Sequence, residues 1–425
     1  MGQVTTEIRD VAALDLTRYL RPGDTVAWGQ ACAEPLTLTE VLAEQRKQLG
    51  GIRCFTGISS SPAVGPQNCD YLSFSSYSAA GANRALSQAG LLEIVPSPYS
   101  ELPRILSHGP LRADVLFLAL PPAGPGGTFG LGLGADYLVP LVGRAGTVIA
   151  EVNDQVPEIG CDRRLNRGEI DVIVHASRPP AEYAGEPASE IEAAIAGHVA
   201  ALVPDGATIQ LGIGRLPAVV ARHLRGHRDL GVHSGMITDG IAELIEAGVV
   251  TGARKSVDRG LVVTGFLMGS QVLIMRAAAD FSIQLRDTRY THDPAVLAAQ
   301  HALVAVNSAI EVDLTGQANI EVAGGRYVGG VGGAAEFLRG AARSAAGVPV
   351  IALPSTARGS SRIVAALSGP VGVARADAGV IVTEYGVADL RGLSLARRRE
   401  RMIAIAHPDC RAALEAAAAG AAAGD

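Results

Sequence analysis

Short apolar runs recur along the chain, separated by stretches with helical spacing. Thr25-Val26-Ala27-Trp28, Asp114 to Ala119, Thr147 to Ala150 and Val348 to Ala352 have strand length and do not alternate apolar with polar. A strand with one wet face alternates, whereas a strand covered on both faces, as in a parallel sheet, does not. Further strands are expected at His301 to Val306 and Ala378 to Val382, and a helix at Ala335 to Ala345. Strand then helix, repeated, predicts an α/β protein.

The pattern also occurs twice. Gly23-Asp24-Thr25-Val26-Ala27-Trp28-Gly29 aligns with Gly206-Ala207-Thr208-Ile209-Gln210-Leu211-Gly212, and each copy soon meets a proline, Pro35 or Pro217. Asp114 to Leu118 pairs with His301 to Val306, and Gly146 to Ala150 with Val348 to Ala352, in the same order. Chance explains one such pair easily and three colinear pairs poorly. The expectation is two similar parallel-sheet α/β domains, residues 1–185 and 186–425, joined near Arg178 to Ser189. That stretch holds Pro179, Pro180, Gly185 and Pro187, a linker composition. The period is far too long for a solenoid. Ligands of open α/β sheets bind at the carboxyl ends of the strands, so the loops there are where chemistry is expected.

Composition narrows the possibilities. The chain has 425 residues, 48% hydrophobic and 18% charged, enough for two domains with real cores. Its net charge of −6 and lack of a long basic run do not suit nucleic acid. Arg397-Arg398-Arg399-Glu400-Arg401 reads as a solvated helix face rather than a phosphate site. Five cysteines without C-x-x-C spacing fit a reducing cytosol and argue against a disulfide framework or a zinc site. The start lacks the apolar stretch of a signal peptide, and no run reaches membrane-spanning length, so a cytoplasmic location without membrane contact is expected. Ala412 to Asp425 is expected to continue a helix and then fray.

Five places carry residues suited to chemistry. Gly212-Ile213-Gly214 follows a strand and precedes a helix, where backbone N–H groups suit an oxyanion or a phosphate, or simply form a tight turn. Gly329-Gly330-Val331-Gly332-Gly333 has more glycine than one turn requires and favours close approach of a substrate to bare amides. Glu384 stands at a strand end, as a base, a group that orients a neighbour, or a surface cap for a following helix. Asn307, also at a strand end, is either an amide donor to a thioester oxygen or a turn former. His233 reads first as a packed residue and second as a proton carrier. Its neighbour Ser234 lacks the G-x-S-x-G elbow of a serine hydrolase.

Taken together, Arg21 to Val26, Ile149 to Asn153, Asp205 to Gly214, Asn307 to Gln317, Leu353 to Thr356, Thr383 to Gly392 and Ile405 to Asp409 resemble the acetyl-CoA hydrolase/transferase family of class I CoA-transferases. The Thr-Glu-Tyr-Gly-x-Ala-x-Leu-Arg-Gly run is the most specific of these. The resemblance implies a CoA-transferase-like pair of α/β domains, the second carrying most of the active-site loops, and a homodimer. It implies a coenzyme A thioester as substrate, a second small molecule or water as acceptor, no metal and no permanently bound cofactor. In such enzymes a glutamate attacks the thioester, and backbone amides hold the oxyanion. Those amides correspond to Ile213 and to Gly332 or Gly333. Asn307 and Glu384 match positions in the same pocket. The resemblance implies CoA binding by Gly212, Gly214, Gly329, Gly330, Ala334, Ser355 and Arg362.

Two departures stand out. Gly235, in His233-Ser234-Gly235-Met236, occupies the position of the attacking glutamate, and Ala334 the position of a loop glutamine. Glycine can form neither the acyl-glutamyl anhydride nor the glutamyl-CoA thioester. The expectation is therefore an acyl-CoA-processing enzyme without a covalent glutamyl intermediate. It would hydrolyse the thioester or pass the acyl group to a non-carboxylate nucleophile, with Glu384 the leading base and His233 the second. Carbon–carbon cleavage of a cyclic thioester is a further possibility. The alternatives are a CoA-transferase with another carboxylate as nucleophile and a non-catalytic acyl-CoA-binding protein.

Overall fold

A computed structural model describes residues 5–183 and 187–422, with side chains to residue 419. It is mixed α/β with large parallel sheets. The chain forms two compact units that are not contiguous in sequence. One comprises Met1–Ala184, Val263–Thr291 and Arg326–Gly332, and the other Gly185–Val262, His292–Gly325 and Gly333–Asp425. Gly185, in the expected linker, and the last residues of the expected fraying tail lie outside the described residues.

The first unit holds an eight-stranded sheet among the described residues. Its strands run in the order Thr6–Ile8, Val172–Ala176, Thr147–Asn153, Val115–Leu120, Thr25–Trp28, Ile52–Thr56, Leu72–Ser76, Leu92–Ile94. Every neighbouring pair is parallel. Thr25–Trp28 and Val115–Leu120 are buried at every position, which is why neither run alternates. Trp28, Phe74, Phe117, Leu38 and Leu42 anchor the core between this sheet and the helix Leu36–Leu49.

In the second unit Thr208–Leu211 is flanked by Gly231–Ile237 on one side and Leu303–Ser308 on the other. Val348–Ala352 and Val380–Thr383 follow beyond Leu303–Ser308, all parallel. Gly386–Asp389 closes the edge antiparallel to Val380–Thr383. The helix Ala334–Arg343 packs Phe337, Leu338 and Ala341 onto a core that includes Leu303, Ala305, Ile351 and Ile381. The segments paired in sequence thus hold matching places. Thr25–Trp28 and Thr208–Leu211 each lie where the strand order reverses, and the other pairs follow outward in the same order. In such sheets the crevice opens at that reversal.

Candidate active site

Register brings the chemistry of the second unit into one row. Leu211 pairs with Val306, so Gly212 stands opposite Asn307. Ile209 pairs with Val232, and continuing that register sets Gly235 beside Gly212 on the other flank. Residues level with one another on parallel strands face the same way. Gly212, Asn307 and Gly235 therefore share the face that Ala334–Arg343 covers, just at the strand reversal.

Asn307 is buried at 6% exposure and is held by an amide pair. Its Nδ2 donates to Gln210 Oε1 at 3.0 Å, and Gln210 Nε2 donates back to Asn307 Oδ1 at 3.4 Å. A Cβ on Gly212 would lie 2.7 Å from Asn307 Oδ1, so glycine is required there for the amide to keep its place. Gly214 has φ +123°, and Ile213 is 42% exposed, an unusual setting for isoleucine. The helix Arg215–His223 starts here, and Arg215 Nε donates to Glu192 Oε1 at 2.6 Å.

At Gly235 the space is already taken by a ring that the sequence did not single out. A Cβ on Gly235 would meet His292 Cε1 at 3.1 Å, His292 Nε2 at 3.3 Å and Phe337 Cε2 at 3.6 Å. A Cβ on Gly333 would meet the same His292 Nε2 at 2.5 Å. The edge of one imidazole thus fills the gap that both glycines leave. Its position is set locally: Asp293 caps the helix Pro294–Ala299 by accepting from the Ala295 and Val296 amides, and Pro294 takes the first helical turn. The ring lies 4.7 Å from the Phe337 ring, centre to centre. Burial, with a smaller contribution from nearby His233, pushes the His292 pKa down to about 3, so the ring is neutral at ordinary pH. The only sequence signal was an ordinary Asp-Pro helix start, which marks the turn and says nothing of what the preceding side chain faces.

His233 is fully buried, with Nδ1 3.2 Å from the Gln300 side-chain amide. Ser234 Oγ donates to the Leu211 carbonyl at 3.3 Å. Ala334 is half-buried and begins the helix whose N-cap is Gly333.

Glu384 sits in the two-residue turn between Val380–Thr383 and Gly386–Asp389, so it precedes a hairpin strand and not a helix. Both carboxylate oxygens are engaged by one residue. The Ser355 amide donates to Oε2 at 2.8 Å and its hydroxyl to Oε1 at 2.7 Å. Arg362 donates to the Ile310 and Ala309 carbonyls at 2.6 and 3.0 Å, and burial pulls its pKa down. The neighbours of Glu384 brace the turn: Thr383 Oγ1 donates to the Ile405 carbonyl at 2.6 Å, and Tyr385 meets the His407 ring edge-on.

The glycine run divides between the units, Gly329 to Gly332 with the first and Gly333 with the second. In the first unit the Gly329 carbonyl accepts from the Ala79 amide and the Gly332 carbonyl from the Tyr99 amide. A Cβ on Gly330 would fall on the Tyr77 carbonyl oxygen, so that glycine answers to its own chain. Among the described residues no group of three or more His, Cys, Asp or Glu is placed to hold a metal. Nor, among them, is any helix long and apolar enough to cross a membrane.

Comparison with known proteins gives the family and the fold. Residues 10–181 match the acetyl-CoA hydrolase/transferase N-terminal domain and residues 269–418 its C-terminal domain. The chain is 34% identical to the 4-hydroxybutyrate coenzyme A transferase of Clostridium kluyveri, over 92% of each chain. Its fold superposes on RipA of Yersinia pestis with a TM-score of 0.90, 32% identity and 95% of both chains covered. For the 4-hydroxybutyrate CoA-transferase of Porphyromonas gingivalis the TM-score is 0.80, at 32% identity and 96% of both chains.

Proposed function

We propose that this chain, which belongs to the acetyl-CoA hydrolase/transferase family, processes acyl-CoA thioesters without a covalent glutamyl intermediate. The family makes it an acyl-CoA hydrolase or transferase. The absence of a glutamyl step rests on one observation: position 235 carries no side chain, and the space beside it is filled by His292 and Phe337. Water, or another non-carboxylate nucleophile, then attacks the thioester carbonyl.

In this reading the carbonyl oxygen meets backbone N–H groups at Ile213 and Gly333, and Asn307, fixed by Gln210, presents its amide to the same pocket. Burial of the long CoA arm supplies remote binding energy that positions the acyl group. Gly212, Gly214, Ser355 and Arg362, all in the second unit, line its course, with Ala334 as a further contact that the family resemblance implies. Glu384, clasped by Ser355, acts as the base for the nucleophile or holds the Ser355 loop in place. His292 and Phe337 take up the space at Gly235, so room for an acyl group larger than acetyl rests on Ala334 alone.

The test is thiol release from acetyl-, butyryl- and benzoyl-CoA, with hydroxylamine and borohydride as traps. Turnover without a trapped enzyme-bound thioester is expected. A trapped glutamyl thioester instead selects the second reading, which the transferase relatives favour: a CoA-transferase whose nucleophile is another carboxylate. Binding with no turnover leaves a carrier. Glu384→Gln decides the base: unchanged turnover removes Glu384 from that role.

A further inference from the structure

We propose that a cavity in the first unit binds an α-amino acid with an apolar side chain. The cavity, about 440 Å³, lies at the carboxyl ends of Thr6–Ile8, Val172–Ala176 and Thr147–Asn153, neighbours in the eight-stranded sheet. Its volume is within the range of roughly 300–1,000 Å³ common to small-molecule sites, and strand carboxyl ends are where open α/β sheets hold ligands. Register decides what faces it. Glu7 is level with Ile173, and Val152 with His175, so these four side chains share one face of the sheet. The opposite face, carrying Ile149, Val172 and Val174, packs into the core with Leu38 and Leu42 of the helix Leu36–Leu49. Val11, Pro122, Phe129, Val152 and Ile173 give the cavity an apolar lining.

Charged side chains join this lining, two of each sign: Glu7 and Asp154, Arg9 and Arg167. A balanced lining suits a ligand without net charge. One pair is spent internally. Arg167 donates to Glu7 Oε1 at 2.6 Å, and that bond holds the Glu7 carboxyl below its usual range. The other two charges are uncommitted. Arg9 comes only within 3.7 Å of Glu7, and its guanidinium makes no hydrogen bond among the described residues. The Asp154 carboxylate has no partner among the described residues either. An α-amino acid supplies what both lack, a carboxylate for the Arg9 fork and an ammonium for Asp154, while its side chain covers the apolar lining. An apolar acid or amine alone leaves one of the two charges unpaired beside the ligand. A further polar atom is unmet: His175 Nε2, shielded from solvent, has no hydrogen-bond partner among the described residues and lies 4.0 Å from Glu7 Oε1. Its side chain is only half-buried, so the ring can turn toward a polar ligand atom and gain that bond.

The experiment titrates the full chain with L-phenylalanine and L-leucine by ligand-observed NMR. Phenylpropionate, which lacks the ammonium, and phenylethylamine, which lacks the carboxylate, run alongside. Expected is saturable binding of at least one amino acid with a Kd of about 1 mM or tighter. Both analogues should bind about tenfold more weakly or worse, and Arg9→Ala and Asp154→Asn should each weaken the amino acid by a similar factor, the scale of a lost charge-assisted hydrogen bond. Both variants should melt like the parent, because both positions are exposed and neither side chain has a hydrogen bond to lose. No saturable binding of either amino acid by about 10 mM overturns the proposal. So does an analogue that binds as tightly as the amino acid, or a variant that stays within about twofold of the parent.

Discussion

The central strands of the two sheets follow the same order, and the place where that order reverses is built differently in each. In the first unit the residues after Thr25–Trp28 are buried, and the crevice is filled by the protein itself. Gln30 sits at its centre, donating to Tyr99 and to Asp136 Oδ2 and accepting from Tyr77 and the Ile58 amide. Tyr77, Tyr99 and Tyr137 pack edge to face around it, with centres 5.2 to 6.4 Å apart. In the second unit the matching turn is Gly212-Ile213-Gly214, its last two residues exposed, with an amide pair and a histidine beside it. A shared topology offers two crevices. Polar and aromatic side chains plug one, and the turn at the other is bounded by glycines and exposed.

The contrast predicts that substitutions around the plugged crevice cost stability and those around the other cost turnover. The largest effect is expected at Gly330, where a methyl group would land on the Tyr77 carbonyl, a backbone atom that cannot rotate away. Gly330→Ala should lose about 3 kcal/mol or more in chemical denaturation. A near-normal melt would mean that this glycine is reserved for a ligand after all.

Next comes Asp136. Burial pushes its pKa up to about 6, against hydrogen bonds from Gln30 and backbone amides that pull the other way. The folded protein therefore holds this proton where the unfolded chain has lost it. Stability contributed by Asp136 is full below pH 4, is lost as pH rises toward 6, and stays lost above, at a cost on the order of 3 kcal/mol. Asp136→Asn should flatten that part of a Tm-against-pH curve and raise Tm at pH 7. His292 gives the opposite sign in the other unit. Its lowered pKa makes stability fall as pH drops from 6.5 toward 3.

Asn307→Ala sharpens the comparison from the catalytic side. Loss of a donor aimed at a developing oxyanion typically costs about 100-fold in kcat. Stability should fall by only about 1 kcal/mol, the loss of one buried partner for Gln210. A large stability loss with intact turnover would make Asn307 another plug. The smallest effect is expected for Gly235→Ala: its Cβ meets the His292 ring at 3.1 Å, and a side chain can give way where a backbone cannot. Stability should change by less than about 1 kcal/mol, since the ring needs to give way only slightly.

Much of this was legible beforehand because it lies in local pattern. The non-alternating runs at Thr25–Trp28, Val115–Leu120 and Val348–Ala352 are strands buried between layers. Gly212 and Asn307 read from sequence as strand-end residues, and register sets them opposite one another. Glu384 stands at a strand end as its sequence setting predicts, and of its alternatives the helix cap fails. A two-residue hairpin follows, because Gly386 takes up the left-handed φ of +131° that lets the chain turn back. Gly330 is glycine for a reason invisible in sequence, since Tyr77 is distant along the chain and adjacent only after folding.

The sequence by itself determined the strand and helix pattern, the repeated order of elements and the missing side chain at position 235, since each is written in neighbouring residues. Only the tertiary structure decided what stands in the space that Gly235 leaves. His292 is distant in sequence and belongs to no motif. It reaches that gap because a capped helix start and the Phe337 ring fix its direction. Patterns along a chain report which faces are buried, whereas the identity of a neighbour across a pocket depends on packing between elements that the chain joins only in three dimensions.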